Sequence, residues 1–174
     1  MNPKVRGFSL VEMLLVVVLI SIIAAIAVPN LLAARRAAHE GRAIAHIRTL
    51  VDVQFLFYSS KNRFAIPDEL FTGNFLGAGS FQRNAPSASG TPTSGATEVL
   101  SDGFYDYSFR YTTDSQGFTL DVDPKPPLRG RYRWFRYRIH RTTAGGTVSG
   151  SMGVILWAMP STAPPPNSAY RPLQ

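Results

Sequence analysis

The first thirty residues hold the feature that most constrains this chain, an apolar run from Phe8 to Val28 with one charged residue, Glu12. A helix of 21 residues is about 31 Å long, roughly the thickness of a bilayer's hydrocarbon core. A single stretch in lipid must satisfy its own backbone hydrogen bonds, so the run is predicted to be helical. Lys4 and Arg6 precede it without any acid, which predicts a cytoplasmic N-terminus and an exported remainder.

Glu12 distinguishes this run from a plain one-pass anchor. A carboxylate in a lipid-facing helix costs on the order of 2.5–3.5 kcal/mol at the bilayer centre and less near the interface, so it normally has a partner. Cleavage between Gly7 and Phe8 would create one, an α-amino group four residues upstream, in the same chain or in a neighbouring subunit. Ordinary signal cleavage after Ala27 is the alternative, although the run exceeds the ~7–15-residue core of such signals.

The order Gly7, then Phe8-Ser9-Leu10-Val11-Glu12, an apolar run and Pro29 resembles the class III signal of type IV pilins and pseudopilins. The resemblance covers about residues 1–60 and is only architectural beyond them. It implies that a prepilin peptidase cuts after Gly7 and methylates the new N-terminal residue, Phe8. It also implies that Phe8, Glu12 and Pro29 serve assembly, with Glu12 acting in subunit docking.

The same resemblance implies a structural role and a set of partners. The partners are copies of the chain or related pilins in a helical filament, the prepilin peptidase, the inner membrane and, indirectly, an assembly platform protein and ATPase. The chain would lie in the inner (cytoplasmic) membrane before assembly and in an extracellular or periplasmic filament afterwards. A type IV pilus and a type II secretion pseudopilus are both compatible with it.

After Pro29 an apolar stripe continues at three- and four-residue spacing, through Ile44, Ile47, Val51, Phe55 and Tyr58. The spacing predicts one helix from about Phe8 to Ser59, loosened near Pro29 because proline lacks the backbone N–H.

Alternating aromatic and polar residues from Phe104 to Tyr111, and again from Phe118 to Asp123, predict a half-buried hairpin. A third strand is predicted from Arg131 to Arg141, with a bulge or twist at Trp134-Phe135 because the aromatic phase changes there. Residues 154–157 are a candidate final strand.

These elements predict an α+β fold, a long N-terminal helix packed by its second half on an antiparallel sheet of three or four strands. The predicted segments are a leader (1–7), a transmembrane and assembly helix (8–28), its amphipathic continuation (29–60), a variable loop (61–103), an antiparallel sheet (104–159) and a Pro-rich tail (160–174).

The chain has no cysteine and a formal net charge of +7. A disulfide is therefore excluded, so other contacts must hold the C-terminal region. A basic surface favours acidic partners. The arginines interleaved with aromatic residues in the third strand are candidates for binding DNA or another anion: Arg131, Arg133, Arg136 and Arg138.

Catalysis has little support in the sequence. His39-Glu40 begins an H-E-x-x-H pattern, but Ala43 stands where the second histidine must be. Asp114, Asp121 and Asp123 are more simply a polar strand face than calcium ligands. The chain is therefore predicted to be a non-enzymatic protein without a metal or cofactor. Two other roles remain open, a minor pilin that acts as a DNA-uptake receptor and a secreted basic binding module released after Ala27.

Overall fold

The computed structural model describes residues 7–77, 79, 81–83, 97–112, 117–144, 147–151 and 153–173. The chain divides into two compact units, Met1–Ala38 and His39–Gln174. Helix α1, Leu10–Lys61, begins in the first unit and ends in the second. It is helical on both sides of Pro29, so the single missing N–H does not end it.

The second unit contains an antiparallel sheet, and the predicted α+β class is confirmed. Its strands are β1 (Gln82–Arg83), β2 (Thr97–Ser101), β3 (Tyr105–Tyr111), β4 (Gly117–Pro124), β5 (Trp134–Ala144), β6 (Thr147–Ser151), β7 (Ile155–Ala158) and β8 (Arg171–Pro172). They lie in the order β1-β2-β3-β4-β5-β7-β8, and β6 pairs with β5.

The predicted count of three or four strands was wrong. Among the described residues, six strands have four or more residues, and two-residue strands flank them at the edges. Strands β2 and β6 were missed because their sequences, TEVLS and TVSGS, lack a clear alternation of large apolar and polar residues. The β3–β4 hairpin is confirmed, with Tyr105 opposite Pro124 and Tyr111 opposite Phe118.

The interval 61–103, expected to be a loop, contains regular structure. Helix α2 spans Pro67–Thr72, and β1 and β2 follow it. Glu69 accepts a hydrogen bond from the Ile66 backbone N–H at 3.1 Å and pairs with Arg63 at 2.5 Å, which stabilises the start of α2. The Ser-, Thr- and Gly-rich stretch 87–95 lies outside the described residues.

The core of the second unit joins one face of α1 to the sheet. The buried α1 positions are Ala43, Ile47, Leu50, Val51, Gln54 and Phe57. Phe55, which the predicted stripe included, is 39% exposed. The rest of the stripe is as predicted, because Ile47 and Val51 are buried and Ile44 and Tyr58 pack against the core. The pattern also missed a small buried residue, Ala43, and a polar one, Gln54.

The expected bulge at Trp134-Phe135 is not present. The β4–β5 register is continuous from Gly117 opposite His140 to Val122 opposite Phe135, and both Trp134 and Phe135 are fully buried. Phe135 belongs to the core cluster. Trp134 donates its indole N–H to the Ser161 carbonyl oxygen at 3.2 Å, so the C-terminal segment provides its cover.

The Pro-rich segment 160–174 was predicted to be an extended tail, but its described part is folded against the sheet. It makes a single 3-10 turn at Asn167–Ala169 and then pairs as β8 with β7. The Leu173 N–H also bonds the Ile155 carbonyl oxygen at 2.9 Å. These contacts hold the C-terminal segment on the sheet. A disulfide cannot do so, because the chain has no cysteine.

Candidate assembly site

The first unit exposes an apolar surface. Every described residue from Gly7 to Ala38 is exposed, including Leu10 at 80% and Phe8 at 68%. Burying one large aliphatic side chain gains about 1.5–3 kcal/mol, and a surface of this extent normally marks contact with a membrane or another protein. By length and composition α1 qualifies as one helix able to cross a bilayer.

Gly7 and Phe8 lie immediately before α1 in residues without regular structure, and both are exposed. A peptide bond outside a helix is accessible to a peptidase, because no helical hydrogen bond has to be broken before it can be bound. The first bond of the following turn runs from the Met13 N–H to the Ser9 carbonyl oxygen at 3.2 Å. The geometry therefore suits cleavage between Gly7 and Phe8.

Glu12 lies in the first turn of α1 and is exposed. A carboxylate in this turn is favoured by the partial positive charge of the helix N-terminus. Glu12 is the one charged residue from Phe8 to Ala34. Within the described residues it has no ion-pair partner, so another chain or a new N-terminal amine is needed to neutralise it in lipid.

The structure separates the candidate arginines of the third strand into different environments. Arg131 and Arg138 are exposed, and neither has an acidic partner among the described residues. Arg133 forms an ion pair with Glu40 at 3.6 Å. Arg136 is 11% exposed and is held by Asp121. The four side chains therefore do not form one uniform basic face.

Arg136 holds the C-terminal segment against the outer side of the sheet. Its guanidinium bonds Asp121 and the Asn167 side-chain oxygen, and it lies 4.3 Å from the centre of the Tyr170 ring. Arg110 also bonds Asp121. Burial and the neighbouring Asp121 charge raise the pKa of Asp123 to about 6.

Sequence reasoning missed a polar cluster that joins α1 to the sheet. The Asp102 carboxylate, 2% exposed, accepts hydrogen bonds from His46 Nδ1 at 3.1 Å and the Tyr107 hydroxyl at 3.0 Å. Arg42 lies 3.6 Å away and donates to the Asp102 carbonyl oxygen at 3.2 Å. Arg42 and His46 are four residues apart on α1, a spacing that signals a shared face but not which residue it meets.

The backbone completes this cluster. The other Asp102 oxygen accepts the N–H groups of Phe104 at 2.9 Å and Tyr105 at 2.8 Å. Burial alone would raise the pKa of Asp102, but the hydrogen bonds from His46, these N–H groups and Tyr107 outweigh it and hold that pKa well below its usual range. The enclosed carboxylate anchors the helix and has no open space for a substrate.

Among the described residues, no group of three or more His, Cys, Asp or Glu side chains is arranged to hold a metal ion. Asp121, once weighed as a calcium ligand, is bound by Arg110 and Arg136. Asp114 lies outside the described residues.

Comparison with known protein families finds a match in the N-terminal segment of the chain. The prokaryotic N-terminal methylation motif matches residues 2–28, which include the exposed Gly7–Phe8 bond and Glu12.

Two curated proteins are similar to this chain over part of their length. The type IV major pilin protein PilA of Myxococcus xanthus is 38% identical over 64 residues, which cover 37% of this chain and 29% of that protein. The type IV wide pilus major component PilA4 of Thermus thermophilus is 37% identical over 59 residues, which cover 34% of this chain and 45% of that protein. The match thus spans less than half of each relative. No solved structure matches the chain. Over about a third of its length, the chain is therefore similar to these two pilus components.

Proposed function

We propose that the chain is a structural subunit of a type IV pilus that polymerises through its N-terminal helix. The observation that carries the proposal is the wholly exposed apolar surface from Phe8 to Val28 with Glu12 as its one charge. Such a surface is stable in lipid before assembly and among like helices after it. Both relatives carry names of pilus components, which favours a pilus over a type II secretion pseudopilus.

The subunit is made as a precursor in the inner membrane, and the prepilin peptidase removes residues 1–7 and methylates Phe8. The new amine of Phe8 then meets Glu12 of the same or a neighbouring subunit. The contact between neighbouring subunits sets the axial register of the filament. Pro29 loosens the packed helix. The described residues include no catalytic constellation, so the energy for assembly comes from an external ATPase through a platform protein. The filament is displayed outside the inner membrane.

The Glu12 role is tested by replacing Glu12 with Ala in the producing cells. The variant chain is expected in the membrane fraction at the normal level but in filaments at less than about a tenth of it, because loss of a buried charge pair costs several kcal/mol. Asp52→Ala removes an exposed carboxylate from the same helix outside the apolar run and serves as the matched control. Normal filament yield from Glu12→Ala would refute the register role.

A second role, DNA uptake by a minor pilin, draws support from Arg131 and Arg138, which are exposed and have no acidic partner among the described residues. Phosphate contacts by such side chains give salt-dependent binding. Gel shifts with the full chain in neutral detergent test it, and replacing Arg131 and Arg138 with Gln should abolish the shift. Unchanged binding by that variant would exclude these arginines as the DNA contact. Release as a secreted module would instead place Val28 at the mature N-terminus.

A further inference from the structure

An open cleft of about 480 Å³ lies at the sheet edge formed by β7 and β8. It is lined by Arg133, Trp157, Arg171, Pro172 and Leu173. Its volume is within the roughly 300–1,000 Å³ typical of small-molecule sites. Among the described residues no acidic side chain lines it, and two of its five lining residues are arginines.

Strand register brings these residues together. Trp157 is paired with Phe135 on one side and with Arg171 on the other. Residues directly opposite in an antiparallel sheet share a face, so the Arg171 side chain is a neighbour of the indole. Arg133, which precedes β5, places its guanidinium 4.6 Å from the centre of a Trp157 ring. The two cations therefore flank one aromatic side chain.

Glu40 holds Arg133 in this position. Its carboxylate lies 3.6 Å from Arg133 Nε and accepts the Arg133 backbone N–H at 3.2 Å. The Arg133 side chain is nevertheless 45% exposed, and Glu40 is its one acidic partner in the described part of the chain. Arg171 is exposed and has no acidic partner in the described part of the chain.

Four other arginines of this unit each have an acidic neighbour. Arg110 and Arg136 share Asp121, Arg63 pairs with Glu69, and Arg42 lies beside Asp102. The cleft differs because Arg171 has no acidic partner in the described part of the chain and Arg133 has one, Glu40, which leaves a local excess of positive charge. Guanidinium groups offer a planar fork of donors that matches the oxygens of phosphate.

From this geometry we propose that the Arg133–Trp157–Arg171 cleft is a binding site for a phosphate group. A tetrahedral phosphate has enough oxygens to accept from both guanidiniums, whereas a carboxylate is satisfied by one. The indole adds an apolar surface for a ring or chain attached to the phosphate. The site does not depend on the proposed pilus role, and it differs from the exposed Arg131 and Arg138 pair.

The test is isothermal titration calorimetry of the full chain in a neutral detergent at low salt. The probes are inorganic phosphate, AMP and phosphatidylglycerol in bicelles, which separate a free ion, a ring-bearing phosphate and a lipid headgroup. Glucuronate is the carboxylate probe. We expect saturable binding of at least one phosphate probe, and glucuronate binding at least about tenfold weaker because it satisfies one fork only.

Arg171→Gln is the principal variant, because its removal breaks no bond within the described fold. It should weaken phosphate-probe binding about tenfold or more, and Arg171→Lys should weaken it less because the charge remains. Arg138→Gln removes the same charge from an exposed site outside the cleft and should change affinity less than about twofold. Circular dichroism checks that each variant is folded.

Three results would overturn the proposal. They are the absence of saturable binding by every phosphate probe, equal losses in Arg171→Gln and Arg138→Gln, and glucuronate binding as tight as phosphate. The second would show only general attraction to a basic chain, and the third would reassign the cleft to carboxylates.

Discussion

Asp121 and Asp123 show how two side chains on one strand face acquire opposite roles. Asp121 is 7% exposed and is neutralised by Arg110 and Arg136. Asp123 has no such ion pair within the described residues, and burial together with the Asp121 charge raises its pKa to about 6. The ordinary value is 3.8. Asp123 is therefore a residue whose ionised form destabilises the fold at neutral pH.

Replacing Asp123 with Asn should stabilise the second unit at pH 7.5. The folded state holds a proton on Asp123 up to about pH 6, whereas the unfolded chain releases it near 3.8, so stability falls as pH rises through this window. The variant lacks this loss and should gain roughly 1–3 kcal/mol at pH 7.5 over the parent. Asp102 does not contribute to this loss of stability, because its lowered pKa keeps its carboxylate ionised in the folded protein throughout this pH window.

Urea unfolding of the full chain in detergent at pH 4.5 and pH 7.5 measures this effect. The parent should be less stable at the higher pH relative to the variant. An equal change of the unfolding midpoint in both proteins would show that Asp123 does not titrate as described.

At the scale of elements, the helix and the hairpin were predictable because their apolar periods are strong. The C-terminal segment was not, since its contacts come from residues that are remote in sequence, such as Trp134 with Ser161. Gln54 was missed for a similar reason. Its buried amide bonds the Ala65 N–H at 2.8 Å and the Ala65 carbonyl oxygen at 2.7 Å, and no pattern within α1 indicates that partner.

The exposed apolar helix was predictable, because fitness for a membrane depends on local composition. The roles of Gly7, Phe8 and Glu12 stay predictions. The Asp102 cluster and the Arg133–Trp157–Arg171 cleft were not predictable. Each is formed by strand pairing or helix packing between distant segments, which a single sequence does not determine.

We expect Arg136 to contribute more than any other side chain to holding the C-terminal segment on the sheet. Arg136→Met should destabilise the chain by roughly 2–4 kcal/mol, because it removes the bond to Asn167 and leaves the nearly buried Asp121 with Arg110 alone. Arg138→Met, two residues along the same strand and exposed, should change stability by less than about 0.5 kcal/mol. Denaturant unfolding compares the free energies of unfolding of the two variants. Equal losses would refute this role of Arg136.

At the scale of the whole molecule, the two units face different surroundings. The first is an exposed apolar helix that needs lipid or other helices around it. The second has its own core, in which α1 residues such as Ile47 and Leu50 pack with aromatic strand residues such as Tyr107 and Phe118. Only the first unit is therefore expected to require a membrane or a filament.

A fragment of residues 39–174 should be monomeric in buffer without detergent, whereas the full chain should need detergent or lipid. The reason is that the fragment retains the core and loses the exposed apolar run. Size-exclusion chromatography with light scattering measures the mass in solution. If the fragment aggregates as the full chain does, the second unit also requires a membrane or a filament around it.

The pilus-subunit role is tested most directly by the intact mass of this chain recovered from filaments sheared off producing cells. We expect a chain that begins at Phe8 and carries one added methyl group, about 14 Da. A Gly7→Ala precursor should remain uncut and absent from the filaments. Recovery of a chain that begins at Met1 or Val28, or an uncut Gly7→Ala chain within normal filaments, would contradict it.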